Sequence, residues 1–303
     1  MGQFVVGEDL RGNSFNLLKT SLAWAKAFGK KVLTLHAEKL ADATALDGAL
    51  VHFDPEAFES YSKNILAAND KTIKEELEQF GDLEGVEVAY ESRPGDGADV
   101  LLEEVKENQA DLLLLGYNPK RTLRELFLGT VTEELIHKSP CSLMIVKNEQ
   151  ATRPKNIMVA YDFSHHCDQA LDWAKILHKK FKCKTHIVNI VPCYYQGYQS
   201  PETPTGELTQ KIEELITENI HDFEKKLARR ADELKSAGVD VAASTILDKK
   251  GSVSDKLVEY IQQENIDLVL MGSHMRGKIK ELFLGSVASA LIKKSPCSIL
   301  VAK

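Results

Sequence analysis

The chain has 303 residues, 43% hydrophobic and 27% charged, which is ordinary for a globular protein and excludes the disordered and fibrous classes. This length suits two domains of about 150 residues. A net charge of −7 argues against nucleic-acid binding, and no apolar run approaches the roughly 20 residues of a membrane span. The five cysteines form no Cys-x-x-Cys pair and no secretory leader is visible, so we expect buried thiols and a cytoplasmic location.

Short apolar runs alternate with amphipathic stretches along the whole chain. Runs of Val, Ile and Leu without clean alternation are typical of strands that are buried on both faces of a sheet. In the first half the predicted strands are Phe4–Gly7, Val32–His36, Val86–Glu91, Leu112–Leu115 and Leu143–Val146. In the second half they are Ile157–Ala160, Thr185–Val191, Val239–Ile246, Leu268–Met271 and Ser298–Ala302.

The stretches between these runs have helical periodicity. An apolar stripe from Ile212 to Leu234 predicts one long helix, with Gly238 as its stop, and a looser stripe ends at Gly81. Strands that alternate with helices predict an α/β fold, a doubly wound parallel sheet covered on both faces. The loops Leu40–Pro55 and Cys193–Thr205 should flank the carboxyl edge of the sheet, where ligands bind in such folds.

The sequence also repeats itself at a constant offset of 156 residues, the distance from Gly129 to Gly285 and from Cys141 to Cys297. The recurring segments are Glu125–Thr130 with Glu281–Ser286, and Lys138–Ser142 with Lys294–Ser298. A period of half the chain indicates a duplicated domain rather than a solenoid of short repeats. We therefore predict two tandem domains, 1–148 and 154–303, joined by a short polar linker.

A glycine-rich segment from Gly272 to Ser286 separates the fourth strand of the second half from a helix at Val287–Lys294. Free N–H groups at a helix N-terminus favour an anion, and glycine permits close approach to a phosphate. The alternative is a helix start with a Gly/Ser cap and a tight turn. A P-loop is disfavoured because Ile279 stands where a hydroxyl should bind Mg²⁺.

The run Ser164–Asp168 contains two histidines, a cysteine and an aspartate, and superficially resembles a metal cluster. Adjacent residues on a helix point in different directions, so few of them could bind one ion. A helix start capped by Ser164 explains the run better, and no metal site is predicted.

Both halves resemble the universal stress protein family, as a tandem member. That family has a G-x-x-G-x9-G-[ST] motif after its fourth strand, an Asp ending its first strand, and a Pro-Cys or similar pair before its fifth. The second half supplies Asp162, Gly272, Gly285-Ser286 and Pro296-Cys297 at these places. Met275 replaces the second glycine of the motif, and Gly277 would partly compensate.

The resemblance implies a five-stranded parallel sheet of order 3-2-1-4-5 in each domain, and a stress-response or signalling module that binds ATP or AMP, with Mg²⁺ as a candidate companion ion. It implies no dedicated catalytic residue and at most a slow ATPase. Fifth strands would pair the two domains with each other, or two chains in a homodimer. Neither a nucleic acid nor a membrane is expected as a partner.

The resemblance also implies roles for individual residues of the second half. Asp162 would meet the adenosine moiety, and the backbone of Ile190 would approach the base. Gly272 and His274 would lie by the ribose and phosphates. The whole predicted site comprises Ala160, Asp162, Ile190, Met271, Gly272, His274, Gly277, Gly285, Ser286 and Val287, the last three holding phosphate oxygens.

The first half departs further from the motif, because Pro119 stands where its second glycine belongs and proline has no N–H to offer. The residues that remain are Asp9, Gly116, Gly129 and Thr130. We therefore expect nucleotide chiefly in the second half, with a degenerate site or another ligand in the first. The open alternatives are a scaffold that acts through protein partners, and a binder of a lipid or metabolite near Tyr194–Tyr198.

Overall fold

The computed structural model describes residues 2–10, 14–40, 55–81, 85–117, 129–192, 207–248, 252–273 and 285–303. The chain divides into two units, Met1–Arg153 and Pro154–Lys303. Most of the two loops predicted at the carboxyl edge, and the Tyr194–Tyr198 segment, lie outside the described residues.

Unit 1 is built around five parallel strands. They are β1 (Gln3–Glu8), β2 (Lys31–Glu38), β3 (Val88–Pro94), β4 (Leu112–Gly116) and β5 (Ser142–Val146), in the order β3-β2-β1-β4-β5. Its described helices are α1 (Ser14–Phe28), α2 (Pro55–Glu78), α3 (Gly97–Glu107) and α4 (Thr130–Lys138). The central strands form the core, since Val5, Val6 and Leu112–Leu114 have no more than a trace of exposed surface.

Unit 2 repeats the same plan. Its strands are β6 (Asn156–Ala160), β7 (Lys184–Pro192), β8 (Val241–Asp248), β9 (Leu268–Gly272) and β10 (Ser298–Ala302), in the order β8-β7-β6-β9-β10. Its described helices are α5 (His165–Phe181), α6 (Glu207–Ser236), α7 (Val253–Gln263) and α8 (Ser286–Lys294). The predicted α/β fold, with a parallel sheet in each half, is confirmed.

Two strands are predicted to begin too early. In the structure β3 and β8 each begin two residues after the first residue of their apolar runs. For β8 the cause is the end of α6. Gly238 has a φ of +83°, and the Val239 N–H donates to the Leu234 carbonyl, so Val239 closes the helix instead of entering the sheet. The predicted stop at Gly238 is thus correct, and Val239 is buried against that helix end.

The segment predicted as a polar linker is folded onto unit 1. Residues Glu149–Thr152 form one turn of 3₁₀ helix, and the Trp24 indole N–H donates to the Ala151 carbonyl at 2.8 Å. The Thr20 and Thr152 hydroxyls also lie 3.0 Å apart. Burial of Trp24 and Ala151 therefore fixes this turn, which composition alone could not reveal. No described helix combines the length and apolar character required to cross a bilayer.

A candidate nucleotide cleft in unit 2

An open cleft lies at the carboxyl ends of β6, β7 and β9, and its empty space amounts to about 520 Å³ when the solvent at its mouth is counted. Strand β6 lies between β7 and β9 in the sheet, so its two neighbours lead away in opposite directions and leave a crevice at this edge. The lining residues are Ala160, Tyr161, Asp162, Cys167, Val188, Asn189, Ile190, Val253, Leu257, Met271, Gly272, Val287, Ala288 and Leu291.

Six of the ten residues predicted for this site line the cleft, namely Ala160, Asp162, Ile190, Met271, Gly272 and Val287. Gly285 and Ser286 do not line it, but they immediately precede Val287 at the start of α8. His274 and Gly277 lie outside the described residues. The structure thus brings together the ends of three strands and one helix start that are far apart in the sequence.

The start of α8 offers main-chain N–H groups toward this edge. Gly285 is the N-cap residue, and no side chain caps the helix there. The first helical hydrogen bond to its carbonyl comes from Ser289, and the first turn contains no acidic residue. Gly285 has φ −54° and ψ 148°, which any residue can adopt, so its backbone conformation does not itself require glycine.

Asp162 is held in place by its own turn. Its Oδ1 accepts hydrogen bonds from the Ser164 main-chain N–H at 2.8 Å and from the Cys167 thiol at 3.1 Å. Burial, with a smaller contribution from the Asp162 charge, raises the pKa of the Cys167 thiol to about 11, so the thiol stays protonated and keeps donating. Two donors on one oxygen fix the orientation of the carboxylate at the end of β6.

The prediction that Ser164 caps α5 is only half correct. Ser164 occupies the N-cap position, but its hydroxyl makes no capping hydrogen bond and is buried without a partner among the described residues. The Asp162 carboxylate organises the turn instead. Among the described residues, no group of three His, Cys, Asp or Glu side chains is arranged to hold a metal ion.

Sequence analysis missed several residues of the cleft: Tyr161, Cys167, Val188, Asn189, Val253, Leu257, Ala288 and Leu291. Asn189 is the most informative of them, because its Nδ2 donates to the Tyr161 carbonyl at 2.8 Å in a buried position. The duplication offered a way to find Asn189. At the corresponding position of unit 1, the His36 Nδ1 donates to the Glu8 carbonyl at 2.7 Å. Comparing the two halves strand by strand could have found this pair.

The corresponding residues of unit 1 lie in a different electrostatic setting. Asp9, Gly116, Gly129 and Thr130 are all exposed, and Gly129 begins α4 without a side-chain cap. The first turn of α4, however, carries Glu133, whereas α8 has no acid there. A carboxylate at this position competes with an anionic ligand for the helix N-terminus.

Two further carboxyl groups lie beside the end of β1. The Ser14 hydroxyl lies 2.8 Å from Glu8 Oε1 and 3.2 Å from Glu76 Oε1. Burial raises the pKa of both carboxyl groups, and the neighbouring Asp9 charge raises that of Glu76 further. In unit 2 the residue that corresponds to Glu8 is Tyr161, whose hydroxyl donates to Asp168 Oδ1 at 3.1 Å.

Comparison with known proteins agrees with the fold. The model of the universal stress protein family matches residues 1–147 and again residues 154–303. A Staphylococcus aureus (strain USA300) protein described as a universal stress protein is 27% identical over 150 residues, covering 49% of this chain and 84% of that protein.

Two solved structures are similar over nearly the whole chain. A universal stress protein from Archaeoglobus fulgidus DSM 4304 has a TM-score of 0.67 at 19% identity, covering 99% of this chain and 96% of that one. A protein of unknown function from Pseudomonas aeruginosa PAO1 has a TM-score of 0.62 at 15% identity, covering 99% and 92%. Since the family model matches both halves, the chain belongs to the universal stress protein family.

Proposed function

We propose that unit 2 binds an adenine nucleotide, ATP or AMP, and that the chain works as a stress-response or signalling module that responds to it. The observation that carries this proposal is the cleft itself, which joins an oriented carboxylate, Asp162, to the uncapped start of α8. An apolar cleft with a few placed polar groups is the usual form of a small-ligand site.

Each part of the cleft suits one part of a nucleotide. The apolar side chains of Val188, Ile190 and Leu257 provide surfaces against which a base can pack. The Asp162 carboxylate can accept hydrogen bonds from ribose hydroxyls. The N–H groups at Ser286 and Val287 can donate to phosphate oxygens, with the dipole of α8 adding to the attraction.

Charge favours unit 2 over unit 1 for this ligand. Unit 1 places Glu133 in the first turn of α4 and the carboxyl groups of Glu8 and Glu76 beside Asp9. Among the described residues that line the unit 2 cleft, Asp162 is the only charged one. We therefore propose that unit 1 binds nucleotide weakly or takes a different ligand.

Hydrolysis is not the proposed activity. The protonated Cys167 thiol and the buried Asn189 amide are poor bases, which leaves the Asp162 carboxylate as the one described cleft side chain that could take a proton from water. Mg²⁺ accompanying ATP would be held largely by phosphate oxygens and water, as is usual for this ion. Turnover of ATP should therefore be slow.

The test is to identify the small molecules released when freshly purified full-length protein is denatured, by mass spectrometry. Calorimetric titration of the stripped protein with ATP and AMP follows. We expect about one adenine nucleotide per chain. Two per chain would show that unit 1 also binds, whereas none, with no heat on titration, would overturn the proposal in favour of a scaffold or a binder of an apolar metabolite.

A further inference from the structure

A buried histidine lies directly behind the apolar lining of the cleft. His186 is two positions before Val188 on β7, and side chains two positions apart along a strand lie on the same face of the sheet. Val188 lines the cleft, whereas His186 is 3% exposed and does not line it. A titratable side chain is therefore next to the cleft without being part of it.

His186 is bound to the helix that forms one wall of the cleft. Its Nδ1 lies 2.9 Å from the Tyr260 hydroxyl, and the two rings meet edge to face with their centroids 5.9 Å apart. Tyr260 follows Leu257 by three residues on α7, so both are on the same side of that helix, and Leu257 lines the cleft. The Tyr260 hydroxyl also lies 3.4 Å from Ser244 Oγ on β8. These three residues, His186, Tyr260 and Ser244, are the α7 anchor, which holds this wall to the sheet.

The hydrogen bonds of the α7 anchor suit a neutral histidine. A neutral ring can accept the Tyr260 proton at Nδ1, while the Tyr260 oxygen accepts from Ser244. A protonated ring can only donate, so Tyr260 would have to turn its own proton toward Ser244. Protonation of His186 also places a positive charge in a buried position, which is costly.

The surroundings of the ring favour the neutral form as well. Burial lowers the pKa of His186 from the ordinary 6.5, and the Lys184 charge on the same strand lowers it further, whereas Glu264 after α7 and Asp240 before β8 act in the opposite direction. The residue that faces His186 on β6 is Met158, which does not titrate. The folded state therefore binds fewer protons here than the unfolded state. The stabilising contribution is complete above about pH 6.5 and is lost as the pH falls below it.

Unit 1 holds the corresponding helix, α3, by groups that keep their charge. Leu33 corresponds to His186, and Glu104 corresponds to Tyr260. The Glu104 carboxylate accepts hydrogen bonds from Arg93 and from the Gln3 amide, each at 2.8 Å. An Arg–Glu pair stays ionised between about pH 5.5 and pH 7.5. The histidine anchor is thus specific to the unit that carries the candidate cleft.

We propose that the α7 anchor is a pH-sensitive switch of the cleft: acidification protonates His186, loosens the α7 wall and weakens nucleotide binding by unit 2. This inference rests on the proposed nucleotide function. The wall residues concerned are Val253 and Leu257, since both are on the helix that Tyr260 holds. Because linkage is reciprocal, a nucleotide that packs against this wall also makes His186 harder to protonate.

The experiment compares the pH dependence of binding in three proteins. ATP is titrated calorimetrically into stripped full-length protein at pH 7.5 and pH 5.5. His186→Asn keeps an acceptor near the position of Nδ1 but takes up no proton in this range. His221→Asn is the matched control, because His221 is an exposed histidine on α6. Protonation of ATP itself is the same for all three proteins and cancels when their affinity ratios between the two pH values are compared.

Between pH 7.5 and pH 5.5 the wild type should lose about threefold to tenfold more affinity for ATP than His186→Asn does. His221→Asn should have the wild-type ratio. If His186 had only a packing role, His186→Asn would weaken binding equally at both pH values. Its ratio would then equal that of the wild type, which would overturn the inference while leaving the proposed nucleotide site intact.

A measurement on the wild type covers the case in which His186→Asn does not fold. The His186 ring signals are followed by NMR as the pH is lowered, with and without ATP, and Tyr260→Phe identifies them by their shift. We expect a titration midpoint below 6.5 that falls further when ATP is present. Equal midpoints with and without ATP would refute the switch. No binding of ATP to the wild type at pH 7.5 would overturn the proposed function and this inference together.

Discussion

A Cβ atom placed on Gly272 would lie 2.7 Å from the main-chain carbonyl carbon and oxygen of His166. The first turn of α5 therefore packs directly on the end of β9, where only glycine fits without a shift of backbone. Gly116, the corresponding residue of unit 1, is in a different situation, since its Cβ would meet Leu17 Cδ2 at an ordinary 3.7 Å. Glycine at 272 thus has a packing role that is independent of any ligand.

Gly272→Ala should destabilise unit 2 by about 1–3 kcal/mol, because the clash is with main-chain atoms that cannot rotate away. Gly116→Ala is the matched control and should change the free energy of unfolding by less than about 0.5 kcal/mol. Urea denaturation followed by fluorescence and circular dichroism measures both. Equal effects of the two substitutions would contradict the packing role assigned to Gly272.

Gly285→Val should abolish nucleotide binding, with a loss of at least about a hundredfold in affinity, since a branched side chain would occupy the approach to the α8 N-terminus. The backbone angles of Gly285 are open to any residue, so the variant should fold, with a small loss from the poorer N-cap. Calorimetric titration with ATP measures the effect. Gly129→Val is the control in unit 1, and unchanged ATP affinity in Gly285→Val would disprove the assignment.

Cys167 should be nearly inert toward iodoacetamide in the native protein. With a pKa of about 11, about one thiol in a thousand is ionised at pH 8, and the side chain is 4% exposed. We expect alkylation at least about a hundredfold slower than in urea-unfolded protein, where the thiol has its ordinary pKa. Peptide mass spectrometry follows the rate, with the partly exposed Cys141 as an internal reference. Rapid native alkylation of Cys167 would show that the thiol does not donate to Asp162.

We expect unit 1 to lose stability as the pH rises, because the carboxyl groups of Glu8 and Glu76 then lose their protons in a partly buried place. A hydroxyl has one proton, so Ser14 can donate to only one of the two carboxylates at a time, and protonation of the other carboxyl group relieves the conflict. The pKa of both carboxyl groups is raised above the ordinary 4.5, so the folded state binds more protons than the unfolded state. The stabilising contribution is therefore complete below about pH 4.5 and is lost as the pH rises through the raised pKa.

Glu76→Gln should reduce this pH dependence, because an amide can donate to Ser14 at any pH. Relative to the wild type, the variant should gain stability at pH 7 and change little at pH 4.5. Urea denaturation at the two pH values measures the difference. Glu75→Gln, an exposed neighbour on α2, is the control and should keep the wild-type slope. A wild-type slope in Glu76→Gln would mean that Glu76 titrates as it does in the unfolded chain.

The sequence by itself determined the α/β fold, the duplication and the ten strands, because burial on both faces leaves continuous apolar runs and a duplicated gene leaves a constant offset. The family motif residues Asp162 and Gly285 were also visible, because a motif is a set of residue types at fixed spacing; their part in ligand binding stays a prediction. The start of β8, by contrast, was not predictable from the apolar run. The Val239 N–H donates to the last turn of α6, so Val239 ends that helix instead of pairing with β7.

Only the tertiary structure decided which side chains share the cleft and what each of them contacts. The register of β7 on β6 places Asn189 beside the Tyr161 carbonyl, and the packing of α5 on β9 makes Gly272 obligatory. Neither relationship has a sequence signal within one half, because each joins residues that are distant along the chain. The polar side chain of Asn189 and the missing Cβ of Gly272 matter because of the residues next to them, and these residues become neighbours only in the folded sheet.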